Sequence, residues 1–268
     1  MQQTICFISD FGLDDAWVGI CHAIMHRECP QAWVVDLAHQ IEPFDIRKGA
    51  AVAAAGVYQL PDAIHLVVVD PGVGGERRDL CLVTVSGARL VGPDNGVLLP
   101  AAERAGGVES AYTLDSARLG SDAPLATFHA RDIFAPAAAA LACGRDPGEI
   151  GTPIDPSALV SGPFALAHLE GESLAAEVIE IDRFGSLRTS VTAEQAAGLG
   201  LPGATLEMVV GHIKLSVPTG RTFSDVPKGE IVAVVDSSGW LTLAENAGSA
   251  YERFGVEPGA HVRVRALA

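Results

Sequence analysis

The stretch H-L-V-V-V-D-P-G-V-G-G-E-R-R-D, His65 to Asp79, decides how this chain is read. Residues 66–69 form a short, mostly β-branched run with the pattern of a strand buried on both faces of a parallel sheet, although periodicity by itself also admits a buried helix. Asp70 caps the C-terminal end of that strand. The turn from Pro71 to Gly75 offers backbone with few Cβ atoms, and Arg77 and Arg78 then return positive charge. In open α/β sheets the carboxyl edge of the strands is where ligands bind, so Asp70 is a candidate site residue. The competing reading is a tight turn with a solvated carboxylate.

Upstream, residues 4–9 read as a first strand and Asp10-Phe11-Gly12 as its exit turn. A helix is expected over residues 16–29, with Asp14 or Asp15 as N-cap. Residues 33–37 form a second strand, and Asp45 precedes an alanine-rich helix ending near residue 60. Strand, helix, strand, helix, strand implies right-handed crossovers and a mostly parallel sheet. Downstream, residues 80–85 and 89–91 read as a further strand or hairpin closing on the turn Gly92-Pro93-Asp94-Asn95-Gly96, before a short helix. Phe128-His129-Ala130-Arg131-Asp132 precedes a helix over residues 133–143, with Pro136 tolerable in its first turn or so. His129, Arg131 and Asp132 there suit either a site or capping.

Residues 144–171 are rich in Gly, Pro, Ser and Asp and lack periodicity. The expected organisation is thus an N-terminal α/β domain at residues 1–150, a linker at about 151–172, and a second domain at 173–268. Short strands are expected at 175–181, 187–191, 205–210, 212–217, 231–235, 241–244 and 261–266, which suggests a small antiparallel β-barrel or sandwich.

With 49% hydrophobic and 19% charged residues, the 268-residue chain can bury a real core. Eighteen Lys and Arg against 33 Asp and Glu leave a net charge of −15, which argues against nucleic acid as a partner. Cys6, Cys21, Cys29, Cys81 and Cys143 are dispersed, with no C-x-x-C pair, and are expected to be buried reduced thiols. The chain starts at Met1 without a basic leader, and no apolar run reaches the ~18 residues of a membrane span, so the expectation is a cytoplasmic protein with no membrane partner.

Several chemistries lack their motifs. Asp10, Asp36, Asp70 and Asp182 with His129 could hold a divalent metal for phosphoester hydrolysis, but no dense ligand motif supports it. The first turn carries a single glycine, so a dinucleotide fingerprint fails, and Val73-Gly74-Gly75-Glu76 lacks the lysine of a phosphate loop. No G-x-S-x-G occurs. Asp225 and Glu230 read as surface residues. What remains is a carboxylate (Asp70), a guanidinium (Arg77 or Arg78) and an imidazole (His129), able together to orient and partly deprotonate a water.

Six segments then converge. S-D-F-G-L-D-D-A-W-V-G at Ser9 to Gly19, V-V-D-P-G-V-G at Val68 to Gly74, G-P-D-N-G at Gly92 to Gly96, T-F-H-A-R-D-I-F-A-P at Thr127 to Pro136, D-R-F-G at Asp182 to Gly185 and S-S-G-W-L at Ser237 to Leu241 resemble, in order, the S-adenosyl-L-methionine hydroxide adenosyltransferases. These are hydrolytic relatives of fluorinating and chlorinating enzymes. The resemblance implies an N-terminal α/β domain, a C-terminal β-barrel domain, and a homotrimer with active sites between subunits. It also implies attack of water on ribose C5′, giving adenosine and L-methionine without metal or cofactor. On this resemblance Asp70, Arg77 and His129 match a water-activating triad. Asp10 matches the ribose-binding residue and Phe44 an aromatic against the nucleoside. Asp182 would meet the methionine ammonium, Phe184 and Ser186 the adenine, Ser237 the carboxylate, and Ala247 the base through its backbone. Two positions depart from the family pattern: Ser186 stands where Asn is usual, and Ala130 where glycine commonly follows the histidine. Asp70 stands where the fluorinating relative has an aromatic residue, and an anion there repels halide. A binding or sensing protein without turnover, and halide adenosyl transfer, are the alternatives.

Overall fold

The computed structural model describes residues 3–121 and 125–267, so Met1 and Gln2 at the start of the chain lie outside the described residues. The chain forms two compact units, residues 1–163 and 164–268.

The first unit runs β1 (Thr4–Ser9), α1 (Trp17–Glu28), β2 (Trp33–Ala38), α2 (Ile46–Gln59), β3 (Ile64–Val68), β4 (Asp79–Thr84), β5 (Arg89–Pro93), α3 (Leu99–Arg104), β6 (Val108–Leu114), α4 (Ala135–Ala142), α5 (Pro147–Ile150) and β7 (Gly151–Ile154). Its seven strands lie in the order β2-β1-β3-β5-β4-β6-β7. β1 pairs parallel with β2 and β3, and β3 pairs parallel with β5. β4 pairs antiparallel with β5 and β6, as β6 does with β7. The sheet is therefore parallel where the βαβ units wind it and antiparallel where hairpins extend it.

Residues 66–68 of the apolar run lie in β3, all of whose residues are buried, and Val69 follows it, also buried. β3 lies between β1 and β5, with helices over both sheet faces. Right-handed crossovers place α1 and α2 on opposite faces, because α1 leads outward from β1 to β2 and α2 leads back past β1 to β3. α4 packs against α1, and α3 against α2. The strand order thus reverses between β1 and β3, which makes their carboxyl edge the topological switch point where such sheets bind ligands. Ile5, Phe7, Leu66, Phe134 and Leu141 form part of the core beneath it.

Local chemistry accounts for the element ends. Asp45 caps α2 by accepting from Lys48 N at 2.9 Å. Asp14 and Asp15 do not cap α1: Ala16 occupies that position without a side-chain cap, and both aspartates are exposed. The helix expected from residue 133 starts earlier, in a π-helical turn at Ala130–Phe134 that runs into α4. Pro136 lies in that continuous helical run, where it has no N–H to return to an upstream carbonyl. β6 and β7 were not expected. β7 falls in the segment read as linker, yet it pairs with β6 in the first sheet. Cys6, Cys21, Cys29 and Cys81 are buried, whereas Cys143 is exposed, because it sits at the C-cap of α4.

The second unit contains β8 (His168–Glu170), β9 (Ser173–Ile181), β10 (Leu187–Thr192), α6 (Ala193–Gly198), β11 (Thr205–Val210), β12 (Ile213–Pro218), β13 (Ile231–Val235), β14 (Trp240–Glu245), α7 (Ala250–Phe254) and β15 (His261–Ala266). The order is β12-β11-β15-β9-β10-β14-β13, with β8 also paired to β9. The strand pairs of this sheet are antiparallel, and a bridge from Thr219 to Ala233 brings its two ends together into a barrel-like form. Val178, Leu187, Leu206, Met208, Leu243 and Val264 fill its core. Among the described residues no helix is long and apolar enough to cross a membrane.

Candidate active site

Strand register brings the polar residues of the first unit to one edge. Ser9 pairs with Val68, so Asp10 and Asp70 follow adjacent parallel strands at the same end of the sheet. β5 is parallel to β3 and β4 antiparallel to β5, with Asp79 opposite Pro93. β4 therefore starts at the edge where β3 stops, and the glycine turn between them delivers Arg77, Arg78 and Asp79 beside Asp70. Gly74 makes that turn possible: its φ is +74°, and a Cβ there would lie 2.2 Å from the Ala126 carbonyl oxygen. The helical run of the π turn and α4 presents His129 at its N-terminal end.

These groups form one half-buried cluster. Arg77 Nε donates to both Asp70 oxygens, at 3.1 and 3.0 Å, and its Nη2 donates to Asp70 Oδ2 at 2.6 Å. Its Nη1 donates to Asp79 Oδ1 at 2.6 Å. His129 Nδ1 lies 2.9 Å from Arg77 Nη2 and 3.0 Å from Asp79 Oδ1. The guanidinium also stands 5.6 Å from the Phe134 ring centroid, which fixes it from the core side. Arg78 turns elsewhere: its Nε donates to Asp94 at 2.7 Å and its Nη2 to the Ala158 carbonyl. Of the two arginines left open by the residues themselves, Arg77 is the one that meets Asp70 and His129.

A cleft of about 620 Å³ opens over this cluster, within the usual range for small-molecule sites. Asp70 and His129 line it, as do Asp10, Phe44, Ala130 and Arg131. Arg77 and Asp79 do not appear on its wall and stand behind it. The apolar part of the wall includes Phe11 and Phe128, whose rings meet edge-on at 6.0 Å, and Trp17, also 6.0 Å from Phe11. Sequence reading did not single these aromatics out; their positions beside Asp10 and His129 in the quoted motifs were the available signal. At the rim, Asp10 Oδ2 accepts from Phe44 N at 2.9 Å. Phe44 has φ +71° and is 69% exposed, an uncommon backbone and exposure for an aromatic residue, of the kind that collects at ligand sites. Asp132 works locally, accepting from Arg131 Nε at 2.6 Å and from Leu125 N at 2.8 Å, and these hydrogen bonds hold its carboxyl below the usual range.

Asp36, weighed above as a metal ligand, is instead 2.7 Å from His22 Nε2 and 2.9 Å from His39 Nε2. These hydrogen bonds outweigh burial and lower its pKa. Among the described residues no three His, Cys, Asp or Glu side chains are grouped so as to hold a metal ion.

The remaining candidates belong to the second unit. Asp182 Oδ1 accepts from Phe184 N at 2.8 Å and Ser186 N at 2.9 Å, so the D-R-F-G turn is closed by its own aspartate. Phe184 projects from that turn at 79% exposure, while Ser186 is buried. Gly185 O accepts from Tyr251 N at 2.8 Å, which links this turn to the one holding exposed Ala247 at φ +58°. Ser237 is exposed in a third turn, where Asp236 accepts from Ser238 N and Trp240 N.

A switch-point cleft over a half-buried carboxylate, guanidinium and imidazole, on a chain with a separate barrel-like unit, describes a small-molecule site of two-unit α/β and antiparallel β proteins. The family model for the SAM hydroxide adenosyltransferase N-terminal domain matches residues 5–151, and that for its C-terminal domain matches residues 176–263. The chain belongs to the SAM hydroxide adenosyltransferase family. It is 43% identical to an (R)-S-adenosyl-L-methionine hydrolase of Salinispora tropica, covering 98% of this chain and 97% of that one. A protein of the same name from Thermus thermophilus is 38% identical, over 98% and 100%. A fluorinase of Actinopolyspora mzabensis is 29% identical, over 98% and 97%. The crystal structure of an uncharacterized conserved protein from Thermotoga maritima superposes with a TM-score of 0.86 at 31% identity, over 97% and 99% of the two chains.

Proposed function

We propose that this chain is an enzyme that hydrolyses S-adenosyl-L-methionine to adenosine and L-methionine. The observation that carries the reading is the placement of Asp70 and His129 together on the wall of the switch-point cleft, with Arg77 clamping Asp70 from behind. Water's oxygen forms a bond to ribose C5′ as the C5′–S bond breaks, its electron pair passing to sulfur. A sulfonium departs as a neutral thioether, so no general acid is required. The barrier lies in holding a partly desolvated water in line with C5′, which positioning and fixed charges supply. Asp70 and His129 hold the water, and Asp70 draws off its proton to solvent. The sequence assigned Arg77 to the water as well; its contacts favour a role through Asp70.

Asp10 binds the ribose hydroxyls, and Phe44 packs against the nucleoside. Asp182 meets the methionine ammonium, Phe184 and the turn containing Ser186 receive the adenine, Ser237 the carboxylate, and Ala247 offers backbone to the base. The reading includes a homotrimer whose sites are shared between subunits, in the cytoplasm, with no metal or cofactor. Hydrolysis in isotopically labelled water should place label in the 5′-hydroxyl of adenosine. Binding without product would favour a sensor, and a 5′-halo nucleoside formed with chloride or fluoride would favour halide transfer. Asp70→Asn and His129→Ala should each lower adenosine formation by roughly 10²- to 10⁴-fold, and full activity in both would remove the proposed roles.

A further inference from the structure

Asp79 ends the stretch on which the chain's reading turns, yet neither the motifs nor the triad includes it. It is the first residue of β4, and its side chain is 14% exposed. Its Oδ1 receives Arg77 Nη1 at 2.6 Å and stands 3.0 Å from His129 Nδ1. Nδ1 is thus flanked by two possible partners, and a single proton decides between them. Carrying a proton, it donates to Asp79; bare, it accepts from Arg77 Nη2.

Two features favour Asp79. Around the Nδ1 edge stand two carboxylates, Asp70 and Asp79, and one guanidinium, Arg77, a surplus of negative charge that favours a proton at that edge of the ring. Each nitrogen of Arg77 also keeps an acceptor without Nδ1: Nε and Nη2 have Asp70, and Nη1 has Asp79. Nε2 lies on the opposite edge of the imidazole and has no protein hydrogen-bond partner among the described residues, while the His129 side chain lines the cleft.

We propose that Asp79 is a positioning residue of this site, which accepts the Nδ1–H of His129 and so fixes the tautomer whose bare Nε2 faces the attacking water. The consequence is geometric. A water that donates one hydrogen to His129 Nε2 and the other to Asp70 keeps a lone pair for C5′. In the other tautomer Nε2–H donates to the water oxygen and occupies a lone pair instead. Choice of tautomer by a carboxylate behind the imidazole is the same physical device that orients the histidine of hydrolytic triads.

The inference rests on the hydrolase reading, and the two can fail separately. The nitrogen spectrum of the enzyme with isotopically labelled histidine, with the His129 resonances identified by their loss in His129→Gln, should show Nδ1 protonated and Nε2 bare. In Asp79→Ala the two should exchange, because Arg77 remains as the partner at Nδ1. Asp79→Asn and Asp79→Ala should lower kcat by about 10- to 100-fold and leave KM within about twofold, since Asp79 stands behind the cleft wall. A bare Nδ1 in the unaltered enzyme, or kcat within about twofold in both variants, overturns the role. If a variant fails to fold, the spectrum of the unaltered enzyme still decides. If the unaltered enzyme forms no adenosine, the hydrolase reading falls while the spectrum still judges Asp79.

Discussion

Adjacent arginines with identical side chains have different work here: just ahead of β4, Arg77 turns to Asp70 and His129 and Arg78 to Asp94. Arg77 and Asp70 are 8% and 5% exposed and meet in a forked arrangement that lysine cannot reproduce. Arg77→Lys should therefore lower kcat by at least about 10²-fold, measured as adenosine formation, even though charge is kept. Arg78 instead ties Asp94, 3% exposed, to the 158–160 segment, whose Val160 N donates to Asp94 Oδ1 at 3.0 Å. Arg78→Ala should cost about 2 kcal/mol in a denaturant titration by leaving a buried carboxylate short of a partner, with kcat much less affected than by Arg77→Lys. The pairing Asp70 with Arg77 could be narrowed to two arginines from the residues, and the family resemblance favoured one. Asp79 was in plain view as the last residue of the quoted stretch but was given no role, because nothing local marks a carboxylate at a strand start as facing a histidine fifty residues away.

At the scale of elements, the site depends on a loop that must pass close to another backbone. Gly74 combines left-handed φ with a Cβ position that the Ala126 carbonyl already occupies. Gly74→Ala should displace the turn from the 125–129 segment, lower the unfolding midpoint, and reduce kcat, because Val73 and His129 line the same cleft. A variant with unchanged melting and turnover would show that the close approach carries no functional consequence. The βαβ rhythm of β1 through β3 was legible because β1 and β3 bury continuous apolar runs, α1 and α2 bury one face, and the edge strand β2, though only half-buried to exposed, still carries a short β-branched run. β6 and β7 were not, since their burial is mixed and β7 has only four residues in a segment punctuated by proline and glycine.

At the scale of the whole molecule, the first unit carries an acid-sensitive group away from its cleft. His65, on fully buried β3, donates from Nε2 to the Leu60 carbonyl at 3.1 Å, and burial lowers its pKa from 6.5 to about 4. The folded state thus resists a proton that the unfolded chain accepts. Stability is fully present above about pH 6.5 and declines as pH falls toward about 4, by roughly 3 kcal/mol in all. Unfolding free energies from urea titrations at pH 7 and pH 5 should differ by about 2 kcal/mol more in the native chain than in His65→Gln, and equal differences would remove His65 as the cause. The sequence by itself determined the alternation of strands and helices, the barrel-forming strands after residue 173, and a short roster of chemical groups, because propensity, periodicity and turn chemistry act over neighbouring residues. Only the tertiary structure decided that β4 starts where β3 ends, and that Asp79 joins Arg77 and His129. Those outcomes depend on strand order and register, which are set by packing between segments far apart in the chain.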